Sequence, residues 1–546
     1  MRQEQEIRHK KFTIGIDVGG TNTDGVLYNT EGKYITSSAK ISTNHNDYGY
    51  SVETVIRKLL CAALPKDIIS LNISTTLSTN ALLEGKGAPV ALVLIGYDDF
   101  PHIKDEILKI VSPSATLSIM GGHNGWGKER APLDIGALAN FAKKHVGEYF
   151  AISSLYSPRN PSHEIKAAET IKDIGCAGLT CGHEIAHSKL NSVKRTVTSF
   201  LNSSLMQSTK HLIHSVKLCA EKFDLDCPLM FLRSDSSLVS GEWCARFPIE
   251  TIFSGPAASM RGAAVLDDID EGAAIVADMG GTSTDIGLIR EGRPVFSEEG
   301  ASIGSYQTMI PSLEIYSAAL GGDSLVCVDG KSGALVIGPQ RAVPVARGGA
   351  SCAYTPTDAL CTLGLYDGNK EASCIASETL GKQLGLSAAE FASAVRNEVS
   401  TRLEALFAKK CSSTGMKKIC VGAPAAAYVE KAADIRVPHG SGVASAVGAA
   451  ASSLSLSCSV AIIHSFFDDL YYAFLPDAKL CAPNVYEITA KSKMRLDVYL
   501  RRQSQLMGIE KPHVTITEER EYIGKEQNEK SLAKITITGE AVVQNI

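Results

Sequence analysis

The sequence predicts an α/β protein built from two similar halves, with a small α+β appendage at its C-terminal end. Three observations carry this. A glycine-rich hairpin is written twice, strand-like and helix-like segments follow each other along both copies, and the last stretch, from about residue 460, reads as two strands around a charged helix. The first hairpin is Thr13-Ile-Gly-Ile-Asp-Val-Gly-Gly-Thr-Asn-Thr-Asp-Gly-Val-Leu-Tyr28, and the second is Ala274-Ile-Val-Ala-Asp-Met-Gly-Gly-Thr-Ser-Thr-Asp-Ile-Gly-Leu-Ile289. Asp17, Gly19, Gly20, Thr21, Thr23 and Asp24 recur as Asp278, Gly280, Gly281, Thr282, Thr284 and Asp285, at a constant offset of 278 − 17 = 261. One Gly-Gly-Thr turn is common. Two with six matching positions indicate a duplicated unit.

Each copy reads as an apolar strand, a tight turn and a second apolar strand. Paired glycines let the backbone come close to a ligand and adopt positive φ. Successive N–H groups in such a turn form a concavity suited to phosphate oxygens, and a neighbouring carboxylate suits magnesium held through water. Facing hairpins of this kind resemble those of the actin, sugar-kinase and Hsp70 ATPase superfamily, whose halves have ribonuclease H-like folds. The resemblance implies ATP and Mg2+ as cofactors. The nucleotide would be clasped by Gly19, Gly20, Thr21 and Asn22 from one side and by Gly280, Gly281, Thr282 and Ser283 from the other. Asp17 and Asp278 would hold the metal through water, and Asp17, Asp278 and Asp285 are the catalytic candidates. The alternative for Asp17 and Asp278 is that they cap their own turns.

The chain divides into residues 1–190, the first half; 191–458, the second half; and 459–546, the appendage. Residues 11–42 read as three strands. Tyr48–Leu64 has helical spacing in Val52, Val55, Ile56, Leu59 and Leu60. Ser74–Asn80 is rich in hydroxyls where a strand meets a helix, fitting either an anion site at a helix N-terminus or a simple cap. Pro89–Ile95 is a buried strand, Met120–Gly127 a glycine-rich loop, and 186–270 mainly helix. Ser254–Ala258 opens a helix towards the second hairpin. A long helix spans 387–410, and Ile419–Ala426 is a strand, a small-residue turn and a helix start. The uncharged run from Val437 to Phe467 is too rich in Ala, Ser and Gly for a membrane span; its middle, Val443–Ile463, fits a helix packed tightly on a sheet. In the appendage, Val485–Thr489 and Ile535–Val543 read as strands around a helix at 490–508. Glu518–Glu526 is a solvated charge run.

Composition narrows the function. The chain has 546 residues, 44% apolar and 21% charged, with net charge −5, and so lacks the basic surplus of a nucleic-acid binder. Met1–Lys11 has no apolar core of a secretory signal. The fourteen cysteines include no Cys-x-x-Cys, and the closest pair is Cys176 and Cys181. Reduced thiols in a cytoplasmic protein are expected.

Eight collinear blocks resemble a definite family. They are Gly19–Asp24, Ser78–Ala88, Gly121–Asn124, Ser157–Glu164, Gly182–Ile185, Arg195–Asn202, Phe253–Ala258 and Asp278–Asp285. Across residues 11 to about 455 the chain is similar to the hydantoinase A/5-oxoprolinase family. That resemblance implies an actin-like ATPase fold and ATP-dependent opening of a cyclic amide such as hydantoin or 5-oxoproline. It also implies a possible partner subunit of the hydantoinase B type; a homodimer is a further possibility. Gly321 and Gly322 fit the family's run of three glycines and a serine, from which Asp323 departs. Gly422 and Ala423 stand at its adenosine turn, normally Gly-Gly. The segment between Pro339 and Thr355 diverges from the family, retaining only Arg347–Cys352 of a Pro-Gly-Pro-x-Cys-Tyr motif. His123, His163 and His183 are candidates for a metal or the substrate, since imidazole is the commonest metal ligand; His163-Glu164 and His183-Glu184 read equally as helix starts. Three functions stay open: the ATP-dependent hydrolase or its ATPase subunit, a small-molecule kinase or carboxylase subunit of the same superfamily, and a non-catalytic nucleotide-binding partner.

Overall fold

The computed structural model describes residues 11–543 apart from 46, 186–189, 298, 349–351, 411–414, 430–433, 466–467, 509–510 and 523–531. The absence of a signal, read from residues 1–11, and part of the charge run at 518–526 therefore lie outside the described residues. Two sheets carry the duplicated hairpins. The first has the order Leu238–Ser240, Leu229–Leu232, Ile68–Thr75, Phe12–Val18, Asn22–Asn29, Tyr34–Ser42. The second has the order Arg293–Pro294, Thr284–Arg290, Ala273–Met279, Lys417–Val421, Ile435–Arg436, with Tyr316–Ala318 also paired to Thr284–Arg290. In each, the leading strand makes an antiparallel hairpin on one side and a parallel pair on the other: Phe12–Val18 with Ile68–Thr75, and Ala273–Met279 with Lys417–Val421. Parallel neighbours need covering on both faces, which explains why Ile14, Ile16, Ile275 and Val276 are all fully buried.

A third, wholly parallel sheet has the order Ala115–Ile119, Val90–Ile95, Tyr149–Ser154, Gly178–Cys181. Val90–Ile95 is buried at every position, as its unbroken apolar run predicts. The Ser192–Lys222 helix packs on this sheet. Its Arg195 is fully buried and donates to the Ser154 and Leu155 carbonyls, both at 2.8 Å.

Two helices made of small residues cross between the hairpin sheets. Ser254–Leu266 packs on Ala444–Ala451, and the latter lies on Phe12–Val18. Backbone meets backbone here. A Cβ on Gly262 would collide with the Ala444 carbonyl oxygen, one on Gly448 with that of Ala258, and one on Gly15 with that of Ala446. Ser259 and Ser445 hydroxyls join across the crossing at 2.9 Å.

Two sequence expectations are corrected. The Val443–Ile463 run is helical only to Ala451; Ser455–Ser465 is a strand. Its burial alternates from Ser455 to Ile462, the period of two that serines alternating with apolar residues carry and that the small-residue composition of the whole run masks. Val485–Thr489 is not a strand but the first turns of the Val485–Leu506 helix, because the Asn484 side chain accepts the Glu487 N–H at 2.9 Å and caps it. This helix packs on a five-stranded sheet of order Ala478–Ala482, Leu470–Leu475, Ser455–Ser465, Leu532–Val543, Pro512–Tyr522. Among the described residues every cysteine is a free thiol, and no helix is long and apolar enough to cross a membrane.

Candidate active site

The two hairpins fold in the same register. Asp17 lies opposite Asp24, and Asp278 opposite Asp285. Gly19 N–H donates to Asn22 O at 3.1 Å, and Gly280 N–H to Ser283 O at 2.9 Å. Each turn tip is left presenting amides: those of Gly20, Thr21, Gly281 and Thr282 have no protein partner among the described residues. Such tips fit phosphate oxygens.

The carboxylates behind the tips are poorly satisfied. Asp17 is 9% exposed and its Oδ1 is buried with no hydrogen-bond partner. Burial, then the neighbouring Asp24 charge, pushes its carboxyl up from 3.8 to about 7, and Asp278 adds to the rise. Asp278 is pushed up to about 6, chiefly by burial and further by Asp285, against the lowering effect of the Ser259 hydroxyl. Asp17 thus feels the opposite hairpin's charge. A buried carboxylate with one oxygen unpartnered, helped only by the Ser74 hydroxyl, and with a second carboxylate in electrostatic reach is a donor set that fits a hydrated divalent cation.

A carboxyl raised on folding takes up a proton between its unfolded and folded values. The stability it contributes is complete below about 3.8 and is lost as pH rises towards about 7. The metal-free chain should therefore lose melting temperature between pH 5 and 7.5, since one such proton costs at most ~1.4 kcal/mol for each rise of one in pH. Millimolar magnesium or Asp17→Asn should flatten that slope. Calorimetry across this range checks it, and an equal slope in wild type and variant would contradict the assignment.

The flanks of the two hairpins have diverged. Asp24 is held by Lys40, whose Nζ lies 2.7 Å away and also donates to Gly442 O at 3.3 Å. At the equivalent register position, Asp285 instead faces Ser317, whose hydroxyl donates to Asp285 Oδ1 at 2.5 Å. Sequence reasoning missed both Lys40, which adjoins no motif, and Ser317, which stands at the head of the segment holding Gly321 and Gly322, because only strand register brings them to the carboxylates.

Gly321 and Gly322 lie beside the second hairpin but spend their amides on the protein. Gly321 N–H donates to Ser324 Oγ at 2.9 Å, Gly322 N–H to Gly280 O at 3.1 Å, and Asp323 N–H to Gly281 O at 2.7 Å. This segment braces the hairpin. Asp323, the departure from the glycine run, is 3% exposed and pairs with Arg347 at 3.0 Å. Gly422 has φ 101°, and a Cβ there would strike the Met279 carbonyl oxygen, so only glycine seats the turn on the hairpin end. Its N–H donates to Ser441 O at 3.0 Å. Ala423 approaches Gly442.

The three histidines lie elsewhere, at the carboxyl ends of the four-stranded parallel sheet. His123 and His163 have ring centroids 4.4 Å apart. His163 Nδ1 accepts the Gly122 N–H at 2.8 Å and Nε2 contacts Glu129 at 3.1 Å, so both ring nitrogens are engaged. His123 Nε2 contacts Ser162 Oγ at 3.2 Å, while its Nδ1 is buried without a partner. Burial, and then His163, push it down to about 4. His183 Nδ1 meets Glu164 Oε2 at 2.7 Å. Burial alone would lower His183; the Glu164 carboxylate outweighs it and raises it. Glu164, Cys181 and His183 are close enough to share a metal. Both Glu164 oxygens, however, already accept hydrogen bonds, from Ser154 N–H at 2.6 Å and from His183.

The model of the hydantoinase/oxoprolinase family matches residues 195–457, and that of the hydantoinase/oxoprolinase N-terminal region matches 13–175. The chain belongs to the hydantoinase/oxoprolinase family. This family member is 29% identical over 391 residues to the caprolactamase subunit alpha of Pseudomonas jessenii, covering 66% of this chain and 55% of that protein. It is 25% identical to the acetophenone carboxylase gamma subunit of Aromatoleum aromaticum, covering 74% and 61%, and 26% identical to the 5-oxoprolinase of Saccharomyces cerevisiae, covering 60% and 29%. It thus spans less than two thirds of the length of each of these relatives. Among solved structures it resembles an ATP-dependent caprolactamase from Pseudomonas jessenii (TM-score 0.73, 20% identity, 97% of this chain and 87% of that chain). It also resembles a nucleotide-free acetone carboxylase (TM-score 0.71, 17% identity, 98% and 88%). At these identities the likeness shows the fold, and the expected two-part α/β ATPase-like architecture is the one this hydantoinase/oxoprolinase member has.

Proposed function

We propose that this chain is the ATP-binding component of an enzyme that opens a cyclic amide at the expense of ATP. The observation that carries the reading is the pair of equivalent hairpins with unpartnered tip amides and raised carboxyls behind them. Gly19–Asn22 and Gly280–Ser283 bind phosphate oxygens. Asp17 and Asp278 hold Mg2+ through water and position it. Gly422 and Ala423 form the floor for adenosine, and Gly321 and Gly322 set the second hairpin's height. ATP supplies a phosphoryl group to the amide oxygen, which removes the resonance that makes an amide a poor electrophile; water adds to the carbon, the C–N bond breaks with the nitrogen taking up a proton, and a second water hydrolyses the acyl phosphate so formed to carboxylate and phosphate. Asp285, beside Asp278, accepts or returns the proton that the amide nitrogen must exchange. The work of the protein is alignment and charge neutralisation. The relatives named caprolactamase and 5-oxoprolinase support a cyclic amide as substrate, and the word subunit in the names of the caprolactamase and acetophenone carboxylase relatives supports a partner subunit.

The acetophenone carboxylase and acetone carboxylase relatives favour a second reading, a carboxylase subunit activating a ketone or bicarbonate with the same hairpins. Phosphate release from Mg-ATP separates the two. Stimulation of at least ~5-fold by a lactam or hydantoin, with the ring-opened product formed, is the expected result for the hydrolase. Stimulation only by a ketone together with bicarbonate would transfer the chain to the carboxylases.

A further inference from the structure

The duplication sets a comparison within the molecule. Asp24 and Asp285 occupy the same place in the two hairpins, yet Asp24 is neutralised by Lys40 and Asp285 is not. Among the described residues Asp285 accepts hydrogen bonds only from neutral hydroxyls, those of Ser317 and Ser283, and a carboxylate has acceptor positions to spare. It also lines a cavity of about 730 Å³, within the range of small-molecule sites. Phe253, Ile303 and Ile315 give that cavity apolar wall, while Asp285 and Ser317 give it a polar corner. Two further carboxylates, Glu299 and Glu314, line it and are exposed. The lining cation, Lys410, has its ammonium over the Tyr316 ring, 4.7 Å from the centroid. The lining itself carries three carboxylates and one ammonium; the ammonium of Lys409, 5.3 Å from the Tyr316 ring centroid, and that of Lys194, on the Glu299 carbonyl at 2.9 Å, stand outside that lining.

We infer that the cavity beside Asp285 is the amide-binding pocket, and that it admits an uncharged ring and disfavours one bearing a carboxylate. This rests on the hydrolase reading above. The ring's N–H donates to Asp285, its methylenes lie on the apolar wall, and Glu299 and Glu314 repel an anionic substituent. Apolar contact alone discriminates poorly between such rings, whereas a like charge brought beside lining carboxylates is disfavoured.

2-Pyrrolidinone and 5-oxoproline test this cleanly, because they share one ring and differ by a carboxylate. Each is titrated calorimetrically into the full-length chain saturated with magnesium and a non-hydrolysable ATP analogue. 2-Pyrrolidinone is expected to bind at least ~10-fold more tightly. Glu299→Lys with Glu314→Lys, both at exposed positions, should shrink that preference at least ~5-fold by tightening 5-oxoproline, with binding of the analogue as the check on folding. Equal or tighter binding of 5-oxoproline by the wild type overturns the inference. So does a preference unchanged in the double variant, or failure of both rings to bind. If 5-oxoproline binds best and drives phosphate release, the pocket's selectivity is refuted and the hydrolase reading stands. If no cyclic amide stimulates phosphate release, it is the hydrolase reading that fails.

Discussion

Asp278→Asn lowers ATP turnover by about 10²- to 10³-fold, the usual loss when one preorganised charge-stabilising group leaves a phosphoryl or acyl transfer site. The substitution keeps shape and removes charge. Asp278 lies one residue before the end of its strand, beside Gly422, opposite Asp285, within reach of the Ser259 hydroxyl and of the charge on Asp17. Its carboxyl is pushed up to about 6 mainly by burial, so at pH 7.5 the folded metal-free chain holds an uncomfortable anion there. The neutral amide should therefore leave melting temperature unchanged or raise it at pH 7.5, while abolishing the magnesium dependence of nucleotide binding. Phosphate release and calorimetry on the same preparation read both effects. Turnover within tenfold of wild type would remove Asp278 from the site, and a fall in melting temperature would mean the residue is structural.

The second large effect lies away from any ligand. Gly448→Ala is expected to cost about 3 kcal/mol or more, at the upper end of overpacking penalties, and to abolish ATP turnover. An added methyl group meets the Ala258 carbonyl oxygen, and the Gly262 amide lies next to it. Neither is the movable end of a side chain. The helices must separate, and they join the element leading into the second hairpin to the strand that carries Asp17. Gly330→Ala, where an added Cβ meets nothing, is the control and should be neutral. Thermal unfolding compares the two. A near-neutral Gly448→Ala would show that the crossing has slack and that the two hairpins are not held by it.

Local features were legible in the sequence wherever a few adjacent residues decide the structure. Both hairpins, the Tyr48–Leu59 and Ala388–Lys410 helices and the helix that opens at Ser254 follow from short-range periodicity and turn chemistry. Errors arose where that signal is weak. The Ala, Ser and Gly content of the run around it masked the alternation of the Ser455–Ser465 strand, and the Asn484 cap outweighed the β-branched residues at Val485–Thr489. The glycines at 321 and 322 were visible as glycines, but the use of their amides was not, since their partners are the carbonyl of Gly280 and the side chain of Ser324.

What the sequence by itself determined is the repeated Asp-x-Gly-Gly-Thr unit and the pairing of Asp17 with Asp24 and of Asp278 with Asp285, because a short turn fixes the register of the strands it joins. What only the tertiary structure decided is the fate of those carboxylates. Strand register set Lys40 beside Asp24 and Ser317 beside Asp285, burial raised Asp17 and Asp278, and residues as distant as Phe253 and Lys410 closed a cavity over one copy. The physical reason is range: a hairpin is settled by backbone geometry over a few residues, whereas the charge state and partners of its side chains depend on what is packed against them from far along the chain.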